Sequence, residues 1–201
     1  MNRNSLMAPQ PSDYQIYLFH EGTNYKAYQM LGSIYIPGNG MQDEGFRFAV
    51  WAPHAAKVSL VGDFNQWQTD THPMKKIEDS GVWTIFIPHM RTGENYKYAI
   101  TTIEGEVKLK ADPFAFFAEL RPNTASVTYR LDTYQWKYAH SNNKSKRPSY
   151  HSPMLIYEVH MGSWKRHADG SFYHYRELAE ELIPYVLEMG YTHIELMPLQ
   201  E

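Results

Sequence analysis

Two stretches of the chain have different hydrophobic periods, and this difference limits the possible folds more than any other feature. Between Gly45 and Thr101, apolar and polar residues alternate in short runs that are separated by Gly, Pro and Asp. Such alternation is typical of antiparallel strands that each bury one face, so it predicts a β-sandwich. The four runs are Phe46–Trp51, Lys57–Val61, Val82–Ile87 and Tyr96–Thr101.

The second stretch, from Met154 to the last residue, predicts a different kind of structure. Met154–Val159 is a nearly continuous apolar run, which is typical of a strand buried on both faces. Between Leu178 and Met189, apolar residues recur at three- and four-residue steps, which predicts a helix with Gly190 as its left-handed cap. Thr192–Met197 is a second apolar run. Strand, helix and strand together predict one β-α-β unit with parallel strands.

These patterns divide the chain into four segments. We expect an N-terminal lead over residues 1–39 and a sandwich over residues 40–136. Residues 137–153 are rich in Ser, Asn and Lys and cannot bury a core, so they predict a linker. Residues 154–201 form the β-α-β segment.

Composition argues against several kinds of partner. The net charge is −3 and there is no basic block, so we expect no binding of nucleic acid. The chain has no Cys, and its ten His residues lack the spacing of a zinc helix, so we expect no metal site. Residues 1–13 do not resemble a signal peptide, and no run approaches the roughly 20 apolar residues of a membrane span. A cytoplasmic protein that makes no contact with a membrane is the resulting expectation.

Ordered motifs in the sandwich resemble a known family. Phe46–Pro53 followed by Val61–Trp67 is similar to the family-48 carbohydrate-binding module. Lys110–Ala115 and Glu119–Val127 look like the last strands of that module in the 1,4-α-glucan (glycogen) branching enzymes. These enzymes belong to the α-amylase superfamily, glycoside hydrolase family 13.

The β-α-β segment carries the same resemblance. Ile156–Trp164 and Tyr175–Ala179 look like the first strand and helix of the family's catalytic barrel, and Thr192–Pro198 resembles its second strand. The resemblance implies a mainly β chain: an immunoglobulin-like β-sandwich, followed by the first β-α-β unit of a truncated (β/α)8 barrel. It also implies that the chain is only the N-terminal portion of such an enzyme.

The resemblance implies a reaction for the whole enzyme. An Asp attacks an α-1,4 linkage, a Glu protonates the leaving chain, and a 6-hydroxyl of glycogen or another α-1,4-glucan opens the glycosyl-enzyme. This retaining double displacement forms an α-1,6 branch and requires no cofactor. The family's catalytic carboxylates lie on later barrel strands, so we expect no catalytic residue in this chain and no activity from it alone.

The resemblance also nominates binding residues. Trp67 and Lys97 match the positions that contact glucan in related modules, and Lys97 alternates with Tyr96 and Tyr98, so it lies on the opposite strand face. Related modules carry a second Trp on the next turn, where this chain has Glu104–Val107. The sandwich therefore either binds glucan or only braces the barrel. Trp51, Trp83 and Trp136 are assigned to packing.

Four residues of the β-α-β segment are weaker candidates. His160 and Trp164 follow the first barrel strand, near the expected barrel mouth. We favour a buried, hydrogen-bonded role for His160 over a substrate contact, while Trp164 is equally suited to sugar stacking and to packing. Glu158 and Glu195 precede the strand ends, which argues against catalysis by either.

Two other functions stay open from the sequence. A stand-alone glucan-binding or scaffolding module would need only Trp67 and Lys97. A sibling hydrolase is disfavoured by Arg121–Ser126, a stretch associated with branching enzymes.

Overall fold

The structure is a computed structural model that describes residues 10–40, 43–134 and 152–199. Its contacts divide the chain into two compact units, Met1–Gln135 and Trp136–Glu201. Most of the predicted linker, residues 137–151, lies outside the described residues, and so does Trp136. The domain boundaries therefore remain predictions.

Two antiparallel sheets form the first unit, and the predicted mainly β fold is confirmed. Their strands are β1 (Gly32–Ile36), β2 (Gly45–Trp51), β3 (Lys57–Gly62), β4 (Lys75–Lys76), β5 (Val82–Pro88), β6 (Asn95–Thr101), β7 (Val107–Lys110), β8 (Phe117–Ala118) and β9 (Ser126–Val127). The first sheet has the order β1-β2-β5-β4, and the second has the order β3-β6-β9-β8 with β7 also paired to β6.

Aromatic side chains from both sheets fill the space between them. Phe46 and Phe48 of β2 are fully buried, as are Tyr96 and Tyr98 of β6. The rings of Phe48 and Tyr96 meet edge to face, with their centroids 4.9 Å apart, which is a favourable arrangement for aromatic pairs. Alternation therefore predicts these four core residues, whereas the expectation of one exposed face is wrong for β2, in which residues 45–50 are all buried.

A buried carboxylate lies beside the aromatic core. Asp112 Oδ2 accepts hydrogen bonds from the hydroxyls of Tyr96 (2.7 Å) and Tyr98 (3.0 Å), and Oδ1 accepts one from the backbone of Phe114 (2.8 Å). Burial raises the pKa of Asp112, while these hydrogen bonds act against that shift. Because the carboxylate satisfies both hydroxyls, the two tyrosines lie in the core without orphaned polar groups.

Strand β1 precedes residue 40, where we expected the sandwich to begin. It pairs along its whole length with β2, from Gly32 opposite Ala49 to Ile36 opposite Gly45. Helix α1 (Asp13–His20) also contributes to the unit, because Ile16 packs in a buried cluster with Met30, Leu31, Ala49 and Val82. The N-terminal segment is thus part of the sandwich structure.

The second unit contains strand β10 (Ile156–Val159), helix α2 (Met161–Trp164), helix α3 (Tyr175–Glu188) and strand β11 (His193–Leu196). Strands β10 and β11 are parallel, and Leu182 and Val186 of α3 pack on Val159. Gly190 has φ of 78°, as its predicted role as a helix cap requires.

Burial on both faces, which the apolar run Met154–Val159 predicts, is wrong for β10, where only Val159 is buried. Ile156, Ile194 and Leu196 are 50%, 39% and 45% exposed. Ile156 lies on the face opposite Val159, whereas Ile194 and Leu196 pair with Tyr157 and Val159 and share the face that α3 packs on. The single helix α3 therefore covers even its own face of the two strands only in part.

Candidate functional site

The turn after β3 positions the first candidate, Trp67. The side-chain oxygen of Asn65 accepts a hydrogen bond from Gly62 N (2.9 Å), and its amide donates to Leu60 O (3.1 Å). Gln66 and Trp67 have φ of 56° and 61°, and the backbone nitrogen of Trp67 donates to Gly62 O (2.9 Å). Asn65 thus holds a tight left-handed turn that ends on the indole.

Gly62 is required at the start of this turn by a close approach. A Cβ atom there would lie 2.1 Å from the backbone oxygen of Asn95 and 2.8 Å from the ring of Phe64. Any side chain at this position would push β3 away from β6. The Gly-Asp-Phe-Asn-x-Trp motif, residues 62–67, therefore fixes the backbone conformation of this turn.

A chain of polar contacts runs from Trp67 towards Lys97. The indole Nε1 of Trp67 donates to Asp63 Oδ1 (2.8 Å), and Asp63 Oδ2 accepts from Asn95 Nδ2 (2.9 Å). Asn95 and Lys97 are two residues apart on β6, so they share a face of the strand. Lys97 Nζ donates to Thr124 Oγ1 (2.7 Å). We call these five residues the Trp67–Lys97 face.

Lys97 lies opposite the core, as predicted. Tyr96 and Tyr98 are fully buried, whereas Lys97 is only partly buried. Trp67 is also partly buried, so its indole is held by Asp63 while part of the ring stays open. The face combines an apolar ring with charged and neutral hydrogen-bonding groups, which is the chemistry that a polyhydroxylated ligand requires.

Three members of this face were not predicted from the sequence. Asp63 is part of the recognised motif, and Asn95 could have been found because period two places it beside Lys97. Thr124 could not have been found, because its proximity to Lys97 depends on how β9 pairs with β6. The turn after β6 carries Gly105 with φ of 88° and no aromatic residue.

His160 and Trp164 lie in the second unit and have different surroundings. His160 is exposed, contrary to the favoured expectation of burial, and its Nδ1 lies 2.8 Å from Ser163 Oγ. It lines an open cavity of about 730 Å³ together with Arg166, His174 and Tyr175. Trp164 donates through Nε1 to the hydroxyl of Tyr157 (2.9 Å) and packs on the Val159 cluster.

Glu158 and Glu195 are paired in register on β10 and β11, and both are exposed. Their pairing places two carboxylates of like charge on neighbouring strands. Of the other residues assigned to packing, Trp83 is buried, whereas Trp51 is 49% exposed with its ring against Phe19.

Within residues 10–40, 43–134 and 152–199, no group of His, Asp or Glu is arranged to hold a metal ion. None of the helices in the same ranges combines the length and apolar character that a membrane crossing needs.

A family model identifies the first unit. Residues 30–115 match the carbohydrate-binding module 48 (isoamylase N-terminal domain). This match begins before residue 40 and includes strand β1 and most of the Trp67–Lys97 face. The class of protein is thus one that carries a carbohydrate-binding module of family 48.

Curated relatives match the chain over almost its whole length. It is 53% identical over 197 residues to the 1,4-alpha-glucan branching enzyme GlgB of Geobacillus stearothermophilus, covering 98% of this chain and 30% of that enzyme. It is 49% identical to the enzyme of the same name from Bacillus subtilis (strain 168), covering 98% and 31%. Over 98% of its length the chain is therefore similar to the N-terminal portion of the 1,4-alpha-glucan branching enzymes. It spans about 30% of the length of these relatives.

Solved structures share the fold at lower identity. The GBS pullulanase SAP in complex with maltotetraose has a TM-score of 0.60 at 22% identity, covering 85% of this chain and 24% of that protein. The type I pullulanase of Bacillus subtilis str. 168 complexed with maltose has a TM-score of 0.54 at 22% identity, with the same coverage. These likenesses concern the fold alone.

Proposed function

We propose that the chain is the N-terminal part of a glycogen branching enzyme. The complete enzyme would cleave an α-1,4-glucan and transfer the released chain to a 6-hydroxyl, forming an α-1,6 branch by retaining double displacement. The observation that carries this proposal is the 53% identity across 98% of the chain. Glycogen or another α-1,4-glucan is the substrate, and the cytoplasm is the proposed location.

The 201 residues alone should not catalyse this reaction. Retention requires two carboxyl groups about 5–5.5 Å apart, at the C-terminal face of a barrel. The resemblance assigns those carboxylates to later barrel strands, whereas the described residues of the second unit supply β10 and β11 as candidates for the first two. In the complete enzyme, His160 and Trp164 would lie near the barrel mouth.

An assay on amylose tests the activity directly. The purified 201-residue chain is incubated with amylose and α-1,6 linkages are counted by proton NMR, with the complete Geobacillus stearothermophilus enzyme as positive control. We expect branching only in the control. Branch points formed by the 201-residue chain would contradict the assignment of catalysis to later strands.

Within this function, we propose that the Trp67–Lys97 face binds glucan. The indole offers a surface for the C–H face of a glucose ring, and Asp63, Asn95, Lys97 and Thr124 offer partners for its hydroxyls. The left-handed turn and the hydrogen bond to Asp63 fix the indole before a ligand arrives, which lowers the entropic cost of binding.

Migration in native gels that contain glycogen tests this face. We expect the wild-type chain to be retarded, and Trp67→Ala and Lys97→Met to migrate faster. Trp51→Ala is the matched control, because it removes an indole that is 49% exposed and that contacts Phe19 rather than any residue of the Trp67–Lys97 face. Retardation that survives Trp67→Ala and Lys97→Met would show that the face only supports the fold.

A further inference from the structure

A second cleft on the first unit lies beside the edge strand β1. Its volume is about 320 Å³, and it shares no residue with the Trp67–Lys97 face. Four aromatic rings contribute to its walls: Tyr28, Tyr35, Phe116 and Tyr129. We call it the edge cleft. Its volume is at the lower end of the range of about 300–1,000 Å³ that is typical of ligand pockets.

Neighbouring groups hold two of these rings in place. Tyr129 stacks on Phe117 with centroids 5.6 Å apart and an interplanar angle of 28°. The Tyr35 hydroxyl donates to Glu44 Oε2 (2.6 Å), and the guanidinium of Arg130 lies 3.7 Å from the centre of the Tyr35 ring. Tyr28 and Tyr129 are 43% and 41% exposed. The cleft therefore presents exposed apolar ring surface that is largely preorganised.

The charges of the edge cleft cancel. Arg130 donates to both carboxylate oxygens of Asp132, over 2.9 and 2.8 Å. These two are the only charged residues among those that line the described cleft, so they leave no free cation for a phosphate or carboxylate. A neutral ligand therefore fits the cleft better than an anionic one.

Hydrogen-bonding groups are present beside the rings. Gln29 lines the cleft, and β1 is at the edge of its sheet, so its outer backbone groups pair with no other strand in the part of the chain that the structure describes. Aromatic faces together with neutral donors and acceptors match a sugar, whose C–H faces are apolar and whose rim carries hydroxyls.

We propose that the edge cleft is a second carbohydrate-binding site, which takes about one or two glucose rings of an α-1,4-glucan. The identity of the sugar rests on the proposed function, whereas the preference for a neutral polyhydroxylated ligand rests on the cleft itself. Two separate sites on one module would let a branched polymer contact the module at two points, which raises the effective concentration at the second contact.

Calorimetric titration with maltoheptaose separates the two sites. The 201-residue chain is compared with Trp67→Ala, with Tyr28→Ser/Tyr129→Ser and with all three changes combined. Tyr25→Ser is the matched control, because Tyr25 is 90% exposed on the same segment and does not line the cleft. In the Trp67→Ala background we expect the two cleft changes to weaken the remaining binding about fivefold or more, and Tyr25→Ser to leave it unchanged.

NMR of the wild-type chain tests the same cleft without any substitution, and it applies even if the cleft variant does not fold. Maltoheptaose added to the wild-type chain should shift the backbone amide NMR signals of Gln29, Ile34 and Tyr129. Unshifted signals, or unchanged binding after both cleft changes, would overturn the edge cleft as a site. Binding that Trp67→Ala leaves unchanged and that the cleft changes abolish would reject the Trp67–Lys97 face and retain the edge cleft.

Discussion

The two units of the chain differ in how completely they bury their apolar residues. In the first unit, aromatic residues of both sheets are completely buried, including Phe46, Phe48, Tyr96 and Tyr98. In the second unit, Ile156, Ile194 and Leu196 remain 39–50% exposed beside a small buried cluster around Leu182. The sandwich thus closes its own core, while the β-α-β unit requires additional surface to cover its strands. The same chain therefore contains one unit built to fold by itself and one that needs a neighbour.

The largest expected effect follows from removing a ring from the sandwich core. Phe48→Ala should destabilise the first unit by about 3–5 kcal/mol, because it removes buried apolar area and leaves a cavity. Leu182→Ala should loosen only the second unit if the two units are energetically separate. Hydrogen exchange measured residue by residue would distinguish these outcomes. Loss of protection in β2 and β6 on Leu182→Ala would mean that the units are coupled.

A smaller effect is expected from the buried carboxylate. Asp112→Ala leaves the hydroxyls of Tyr96 and Tyr98 without their acceptor, at a cost of about 1–3 kcal/mol for each buried group that stays unsatisfied. The triple change Asp112→Ala/Tyr96→Phe/Tyr98→Phe should recover part of the loss, because no hydroxyl is then orphaned. Urea denaturation measures the free energy of unfolding of the single and the triple variant. Equal stability of Asp112→Ala and the wild-type chain would show that water replaces the carboxylate.

The exposed strands of the second unit should cause self-association. Ile194→Lys/Leu196→Lys should lower the average mass seen by light scattering at high protein concentration, since it places charges on the uncovered strand. Leu120→Lys is the control, because Leu120 is 88% exposed in the first unit. A monomeric wild-type chain at every concentration would indicate that the strands are already covered.

The smallest effect concerns the start of α3. His174 is the N-cap, and its backbone N–H donates to Glu177 Oε2 (2.7 Å), which holds the pKa of Glu177 below its usual value. His174→Ser should supply a better side-chain cap and stabilise the helix by about 1 kcal/mol. An unchanged or lower melting temperature would count against it.

The Glu177 contact also predicts a pH dependence. A carboxyl with a lowered folded-state pKa stabilises the fold above its unfolded pKa of about 4.3. That contribution is lost as the pH falls through the folded-state pKa. Exchange protection at the start of α3 should therefore decrease in acid for the wild-type chain, and Glu177→Gln should remove this decrease.

The sequence predicted the parts of the fold that depend on local pattern. Strands β2, β3, β5 and β6 follow from period two, and α3 follows from its apolar face and from Gly190. Strand β1 was not predicted, because its place at the sheet edge is set by pairing with β2 rather than by its own residues. Strands β8 and β9 contain two residues each, which is too short for a periodic pattern, so only the family resemblance of Glu119–Val127 pointed to β9.

The candidate sites also differ in how far the sequence predicts them. Trp67 and Lys97 came from a recognised motif and from strand alternation, and whether they bind glucan stays a prediction. The edge cleft had no signal in the sequence, because Tyr28, Phe116 and Tyr129 are far apart along the chain and meet only through tertiary packing. His160 was expected to be buried and is exposed, because it lies at the junction of β10 and the short helix α2, where it lines an open cavity.

Strand β2 has a consequence for how this sequence can change over evolutionary time. Its residues 45–50 are all buried, because the aromatic core covers one face and the N-terminal segment covers the other. Even Arg47 is enclosed: its Nη2 donates to Gln29 O (3.3 Å), and burial lowers its pKa to about 10. A substitution on either face of β2 would therefore disturb buried packing, so neither its odd-numbered nor its even-numbered residues can vary freely. Neutral variation is left to strands such as β7, in which all four residues are exposed.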